Sequence, residues 1–223
     1  MNIPRILAVV LMATALGACS SNRTTVIDEP STVDGLQPVR VKNIEAVYRR
    51  PGADFFQYRR LLIRDVDIAF SQGWERSQNS ATRTWSSADS ERIKRDLASL
   101  FASTVRRELE VEGGYEIVKE PGQDVLEIRP SIIDLYINAP DLSRTEPGIV
   151  RRYTTDAGRM TLVAELRDSI SGELLARAYD KREDMRSTYW EWTTSVTNSQ
   201  KAQLAISIWA DALRDALDRA RTR

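Results

Sequence analysis

The chain contains no histidine and only one cysteine, Cys19, among its 223 residues. The lack of histidine removes the commonest general base at neutral pH and the commonest zinc ligand. It therefore excludes Ser-His-Asp and Cys-His catalysis within this chain, and any pH switch built on imidazole. With a single cysteine the chain cannot form an internal disulfide, so its fold must depend on a hydrophobic core.

An excess of charge of either sign is also absent, since 32 basic residues balance 32 acidic residues. No long run of like charge occurs, so the sequence lacks the basic footprint of a nucleic-acid-binding protein. Glycine-rich phosphate loops of the Walker or Rossmann type are absent as well. We therefore expect no nucleic-acid partner and no cofactor.

The first residues have the pattern of a secretory signal peptide. The basic Arg5 precedes an apolar run over residues 6–16, and small residues follow it. This run is too short to cross a bilayer as a helix, which takes roughly 20 residues. The pattern predicts a signal peptide over residues 1–18, with cleavage between Ala18 and Cys19.

The segment Leu16-Gly17-Ala18-Cys19 resembles the lipobox of bacterial lipoproteins. In those proteins the cysteine carries lipid after cleavage, so the resemblance implies that Cys19 anchors the mature chain in a membrane. In enterobacterial lipoproteins an aspartate after the cysteine favours retention in the inner membrane. Because Ser20 stands there instead, the resemblance implies the periplasmic face of the outer membrane.

Residues 19–37 are predicted to form a flexible tether, because Ser, Thr, Asn, Asp and Pro are frequent and large apolar residues are few. The remaining residues, 38–223, are enough to bury the core of a single domain. The sequence thus predicts a signal peptide, a lipidated tether and one periplasmic domain.

A strand is predicted over residues 61–70. Leu62, Val66, Ile68 and Phe70 have the same parity there and are expected to face the core. Further extended runs are predicted over residues 125–138, 159–168 and 174–179.

The first long helix is predicted to begin at Ser86, which forms an N-terminal cap with Asp89, and to end at Gly113-Gly114. An apolar stripe at helical spacing supports it and consists of Ile93, Leu97, Leu100, Phe101, Val105 and Leu109. A second long helix is predicted over residues 197–220.

The order of these elements favours an α+β fold, in which an antiparallel or mixed sheet is packed by two main helices in a single domain. Pro130 lies within a predicted strand and implies an edge position or a bulge. A long loop is predicted over residues 139–157, and polar loops are predicted over residues 72–87 and 180–194.

The most interesting candidate for a binding site is the aromatic cluster of Tyr189, Trp190 and Trp192 in the last of these loops. Aromatic side chains on a polar loop anchor partner interfaces or stack on sugar rings. The alternative is that one or both tryptophans fold under the loop into the core.

Two groups of carboxylates have spacings that could form metal or catalytic sites. Asp65 and Asp67 are predicted on one face of a strand, where they could hold calcium or act as a pair of glycosidic acids. The solvent-facing side of an amphipathic strand explains them better. Residues 168–173 resemble part of a calcium loop, but a hairpin turn explains them better. We therefore predict no metal site and no catalytic residues.

Several segments together resemble domain-of-unknown-function family 3313, which comprises lipoproteins of Gram-negative bacteria. The opening of the resemblance consists of Tyr48, Pro51–Phe55, Tyr58 and Leu61–Val66, and its end is Trp209–Arg214 with Leu217. The similarity covers about residues 36–219. It implies a localisation and a fold but no activity, and it carries over no catalytic residues.

Three functions follow as hypotheses. The first, which we favour, is a non-catalytic binding or scaffolding lipoprotein whose partner is an envelope protein or peptidoglycan. The second is an enzyme that acts on cell-wall glycan with carboxylates alone, since such glycosidases need no histidine. The third is a subunit of an envelope export assembly, in which the domain forms a ring.

Overall fold

The computed structural model describes residues 34–79, 85–137, 152–154, 158–183, 191–193 and 195–221, all in one compact unit, Thr32–Arg223. Its helices are α1 (Trp74–Ser77), α2 (Ser87–Arg106), a π-helical turn (Arg107–Glu112) and α3 (Ser195–Arg221). Its strands are β1 (Gln37–Val39), β2 (Ala46–Arg49), β3 (Arg60–Ile63), β4 (Asp67–Phe70), β5 (Glu116–Ile117), β6 (Val125–Ile137), β7 (Arg152–Thr154), β8 (Gly158–Asp168), β9 (Leu174–Glu183) and β10 (Glu191–Thr193).

Eight of the strands form one mixed sheet in the order β1-β2-β9-β8-β6-β3-β5, and β4 also pairs with β6. Strands β3 and β4 run parallel to β6, whereas β8 runs antiparallel to both β6 and β9. The predicted α+β fold with a mixed sheet and a single domain is therefore confirmed.

The strand predicted over residues 61–70 is two strands, because the chain breaks at Arg64–Val66 between β3 and β4. The break changes the parity of the core positions: Leu61 precedes it in the core and Ile68 follows it. Leu62 is buried but lies beside Glu127 on the other face of the sheet. The prediction that Leu62 shares a face with Ile68 is wrong, because alternation over a continuous strand cannot show an interruption.

The same break accommodates Pro130. Strand β6 is central rather than at an edge, with β3 and β4 on one side and β8 on the other. The carbonyl of Ile128 accepts a hydrogen bond from the backbone N–H of Arg64, on the β3 side of β6. Residues two positions apart in a strand point their backbone polar atoms to the same side, so the nitrogen of Pro130 also points to the β3 side. It faces the gap between β3 and β4, where no strand requires an N–H donor.

Helices α2 and α3 pack side by side on one face of the sheet. As predicted, Ser86 caps α2 through a reciprocal capping box with Asp89. The core between helices and sheet includes Leu97, Phe101, Val105, Ile206, Trp209 and Leu217 from the helices and Leu61, Leu126, Ile128, Ile132, Leu162 and Leu175 from the strands.

The predicted polar loop over residues 72–87 contains a buried aromatic cluster and the short helix α1. Trp74 stacks on Phe70 with ring centroids 4.3 Å apart, and Trp85 meets Trp74 edge-on at 5.1 Å. The indole N–H of Trp74 donates to the carbonyl of Ile137 at 2.9 Å, which satisfies its polar atom. The burial of these two tryptophans was not predicted, because the residues next to them in the sequence are polar.

The other two predicted loops contain strands. Strand β7 lies within residues 139–157, and β10 lies within residues 180–194. The two pair antiparallel, so these distant segments meet in a small second sheet. Strand β9 also continues to Glu183 rather than ending at Tyr179. Strands this short form only by pairing with a remote segment, which local periodicity does not reveal.

Candidate functional site: a charged face of the sheet

The face of the sheet opposite α2 and α3 carries charged side chains in a regular arrangement. Side chains along a strand point to alternate faces. Because Leu126 and Ile128 of β6 pack against the helices, Glu127 and Arg129 project from the opposite surface. We call this surface, on which no helix of the described residues packs, the open face. The charged residues of the open face include Arg64, Glu127, Arg129, Glu165, Arg167 and Arg177.

The strand register places opposite charges next to each other across the open face. Arg129 of β6 pairs in register with Glu165 of β8, and Glu165 pairs with Arg177 of β9. One step along the strands, Glu127 lies opposite Arg167. Opposite charges directly across a sheet attract each other, so this order stabilises the pairing of the three strands.

Glu127 is the most buried charge of the open face, with only 2% of its side chain exposed. Its Oε1 accepts from Nε of Arg64 at 2.5 Å, and its Oε2 accepts from Nη2 of Arg129 at 3.0 Å. Burial raises the pKa of Glu127, but the hydrogen bonds from Arg129 and Arg64 outweigh it and hold the pKa below its usual value. Glu127 therefore stays ionised between two guanidinium groups.

Glu165 forms a second centre of the same kind. Its Oε1 accepts from Nε and Nη2 of Arg177 at 3.2 and 2.8 Å, and its Oε2 accepts from Nε and Nη2 of Arg167 at 2.9 and 2.8 Å. Burial raises the pKa of Glu165, but Arg177 and Arg167 together lower it below its usual value. At the end of this row, Nη1 of Arg177 donates to Asp34 at 2.7 Å.

This arrangement is suited to binding rather than to proton transfer. A general acid needs a raised carboxyl pKa near neutral pH, whereas the pKa values of Glu127 and Glu165 are lowered. The arginines are held by hydrogen bonds to Glu127 and Glu165, and those at one end, Arg64 and Arg129, keep about half of their side chains exposed to solvent. Fixed, planar guanidinium groups recognise carboxylates and phosphates.

The predicted lipidation and cleavage residues, Cys19 and Ala18, lie outside the described residues, and so do Tyr189 and Trp190. Trp192 lies in β10, where it pairs in register with Tyr153 of β7. The proposed aromatic interface therefore stays a prediction.

Asp65 and Asp67 are both exposed, but they do not share a strand, because Asp65 lies in the break before β4. The pair of carboxylates on one strand face, considered from the sequence, is therefore not formed. Within the described ranges, no group of three or more potential metal-binding side chains occurs.

The segment from Asp168 is the predicted hairpin turn between β8 and β9. Oδ1 of Asp168 accepts from the backbone nitrogens of Ile170 and Ser171 at 3.1 and 2.7 Å, and its Oδ2 accepts from the Tyr58 hydroxyl at 2.9 Å. The carboxylate therefore closes the turn, and the calcium-loop alternative finds no support in this geometry.

Sequence reasoning missed the charged ladder of the open face. Its signal lies in two tripeptides, Glu127-x-Arg129 and Glu165-x-Arg167, in which opposite charges recur at the two-residue period of a strand. Pairing these tripeptides with each other also requires the register, which only the structure supplies.

Comparison with known proteins places the chain in a family. Residues 30–213 match the family described as "Protein of unknown function (DUF3313)". The chain belongs to the DUF3313 family. The resemblance drawn from the sequence is thereby confirmed, and the family description carries no activity. A comparison with curated proteins found no match.

Solved structures similar to this DUF3313 protein include the PelC dodecamer from Paraburkholderia phytofirmans, which is 12% identical and aligns over 75% of this chain and 96% of its own with a TM-score of 0.37. Protein XCC0632 from Xanthomonas campestris, of family DUF330, is 14% identical over 79% of this chain and 89% of its own, with a TM-score of 0.34. At these scores the likenesses carry no argument about the function of this chain.

Proposed function

We propose that this DUF3313 protein is a lipid-anchored protein at the periplasmic face of the outer membrane, and that it binds or scaffolds other components of the cell envelope without catalysis. The anchor is proposed from the lipobox that ends at Cys19. The observation that carries the binding role is the open face, a preorganised surface of arginines and carboxylates on which no described helix packs.

The distribution of buried carboxylates favours binding over the alternative of a carboxylate-dependent glycan enzyme. Within the described residues, the buried carboxylates are Asp89, Glu127 and Asp180. Each is ion-paired with an arginine of its own neighbourhood: Arg92, Arg64 with Arg129, and Arg182, respectively. For Glu127 the two arginines hold the pKa below its usual value, so the carboxylate stays ionised, which is the wrong form for a general acid.

The anchor is tested by replacing the lipidated residue. In cells fed radiolabelled palmitate, we expect the wild-type chain to carry label and to sediment with membranes. The Cys19→Ser variant should carry no label, since it has no thiol to acylate. No helix of the described residues is long and apolar enough to cross a membrane. Ser21→Ala is the matched control and should behave as wild type. Palmitate label on Cys19→Ser, or an unlabelled wild-type chain, would contradict the lipid anchor.

The choice of membrane is tested at the following position. If the sorting rule of enterobacterial lipoproteins applies, Ser20→Asp should move the protein from the outer to the inner membrane in a density gradient. Ser20→Ala should leave it in the outer membrane. An inner-membrane position of the wild-type chain would contradict the proposed location.

The aromatic cluster is the second surface proposed for binding. Replacing both Trp190 and Trp192 by alanine should abolish capture of a crosslinked partner while the circular dichroism spectrum of the protein stays unchanged. Unchanged capture would remove this cluster from the interface and leave the open face as the binding surface. If an in-cell crosslinking survey finds no partner from either surface, the binding role itself is wrong.

A further inference from the structure

Two arginines at one end of the open face use only part of their hydrogen-bonding capacity. Arg64 donates its Nε, and Arg129 donates its Nη2, to the shared carboxylate of Glu127. Their side chains are 52% and 51% exposed, respectively. A guanidinium group carries several further N–H donors in a fixed plane. Among the described residues the other donors of both arginines have no hydrogen-bond partner, while the buried carboxylate holds both groups in place.

The other two arginines of the open face, Arg167 and Arg177, differ because they have only a structural role. Arg167 donates Nε and Nη2 to Glu165 and Nη1 to the carbonyl of Gly172. Arg177 donates Nε and Nη2 to Glu165 and Nη1 to Asp34. Their side chains are only 24% and 21% exposed. Because all three nitrogens of each group are used, these two arginines stabilise the sheet and have little left for a ligand.

We propose that Arg64 and Arg129 form a clamp for one carboxylate side chain of an acidic protein segment that docks on the open face. The inference rests on the proposed binding function and names the kind of partner. Two guanidinium charges and the single charge of Glu127 leave the clamp with a net charge of +1. Since Glu127 already fixes the clamp, little side-chain entropy is lost when a second carboxylate binds.

The neighbours of the clamp favour a protein partner over an anionic membrane surface. The exposed carboxylates of Asp65 and Asp67 follow Arg64, and Asp67 lies beside Ser131 in the sheet register. A bilayer rich in anionic headgroups would meet these carboxylates as well as the clamp, and like charges repel. A protein segment with one acidic side chain between neutral residues avoids them. Ile133, 39% exposed further along β6, offers such a segment an apolar contact.

The test is site-specific photo-crosslinking in intact cells with the full-length protein. A photoreactive residue at Ser131, on the open face and two residues from Arg129, reports what docks there. A photoreactive residue at Ser103, exposed on α2, reports the helical side. The crosslinked peptide is then sequenced by mass spectrometry, so that the residues that contact the clamp are identified directly.

The clamp is removed together with its carboxylate, in the variant Arg64→Gln/Glu127→Gln/Arg129→Gln, so that no unpaired charge stays buried. We expect the Ser131 crosslink to a peptide containing Asp or Glu to fall about tenfold, as for the loss of interfacial arginines at a binding hot spot. The matched control is Arg106→Gln/Arg219→Gln. These helical arginines are also more than half exposed, and each is ion-paired with a carboxylate of its own helix. The control should crosslink as wild type.

A second variant covers the case in which the triple variant fails to fold. Arg64→Lys/Arg129→Lys keeps both charges beside Glu127 but removes the planar fork, so it should fold and still lose most of the crosslink. Normal crosslinking in this variant, or a crosslinked peptide without an acidic residue, would overturn the clamp.

Other outcomes separate the inference from the proposed function. Crosslinks to lipid at Ser131, with binding of the purified full-length protein to phosphatidylethanolamine–phosphatidylglycerol vesicles, would replace the acidic protein by a membrane surface. A crosslink to a second copy of this chain would make the open face an oligomer interface. Crosslinks from Ser103 alone, or partner capture that depends on Trp190 and Trp192 but not on the clamp, would overturn the clamp but leave a binding function. No partner in either experiment would overturn both.

Discussion

Gly158 is the described glycine at which an added side chain would have the least space. It begins β8 opposite Ile137, next to a bulge of β6 where Asp134 has a positive φ of 54°. The φ of Gly158 is 125°, and an added Cβ would lie 1.9 Å from the carbonyl oxygen of Tyr136. The two strands can therefore approach each other only because this residue has no side chain.

Gly158→Ala is accordingly expected to lower the free energy of unfolding by about 2–4 kcal/mol, because the strands must separate to admit the methyl group. Urea denaturation at neutral pH measures it. Gly172→Ala is the control, since its φ is also positive, at 72°, but no atom lies within 4 Å of the added Cβ. It should cost only about 1–2 kcal/mol, the strain of the left-handed conformation. Equal losses in both variants would show that the contact with Tyr136 is unimportant.

The sequence best predicted the contacts of a residue where its partners lie close to it in the chain. The turn at Asp168 and the cap at Ser86 were both predicted, because each depends on bonds within a few residues. Glu127 was not singled out, because its importance comes from Arg64, which is 63 positions away. No local pattern contains that information.

Helix α2 shows how far a local signal can reach at the scale of an element. The Ser86 Oγ accepts from the backbone N–H of Asp89 at 3.2 Å, while the Asp89 carboxylate accepts from the Ser86 hydroxyl at 2.7 Å. At the other end the predicted helix did reach Gly113, but its last turn, Arg107–Glu112, is π-helical. The apolar stripe ends at the fully buried Leu109 and could not reveal this change of winding.

Removing the cap with Ser86→Ala should destabilise the protein by about 1 kcal/mol, because the N–H of Asp89 loses its acceptor at the start of α2. Thermal unfolding followed by circular dichroism provides the measurement. Ser103→Ala, exposed within the same helix, is the control and should be neutral or slightly stabilising, since alanine is the better helix former. The capping box would be irrelevant to stability if Ser86→Ala melted at the wild-type temperature.

At the scale of the whole molecule, the ion pairs couple stability to pH. The pKa values of Glu127, Glu165, Asp134 and Asp168 are all lowered in the folded state. For Glu127 and Glu165 the cause is the flanking arginines, which outweigh burial. A lowered folded-state pKa means that the unfolded chain binds protons more readily. The resulting stability is present above the ordinary carboxyl pKa of about 4 and is lost as the pH falls through the lower, folded-state pKa.

We therefore expect the free energy of unfolding to fall between about pH 5 and pH 2, and Glu127→Gln to make this fall shallower. The same variant should lose about 1–3 kcal/mol at neutral pH, because the arginines lose their ionised acceptor. Urea titrations across this range test both effects. Glu110→Gln removes one partner of an exposed ion pair on the helical side and should cost less than about 0.5 kcal/mol at neutral pH. An unchanged pH dependence in Glu127→Gln would contradict the role of Glu127.

The sequence by itself determined the kinds and order of the main elements. The alternation in β8 and the stripe of α2 are local periodicities, and a two-residue or 3.6-residue period can be read from neighbours alone. The sequence also determined which catalytic chemistries are excluded, since a chain without histidine cannot perform imidazole chemistry whatever its fold.

Only the tertiary structure decided how the elements meet. It divided the predicted strand into β3 and β4, with a gap opposite Pro130 of β6. It also paired β7 with β10 and placed Glu127 between two arginines. All three results depend on contacts between residues far apart in the chain, whose closure entropy and register are set by the whole sheet. The arrangement of charges on the open face is therefore set by the fold, although the sequence contains each charged residue.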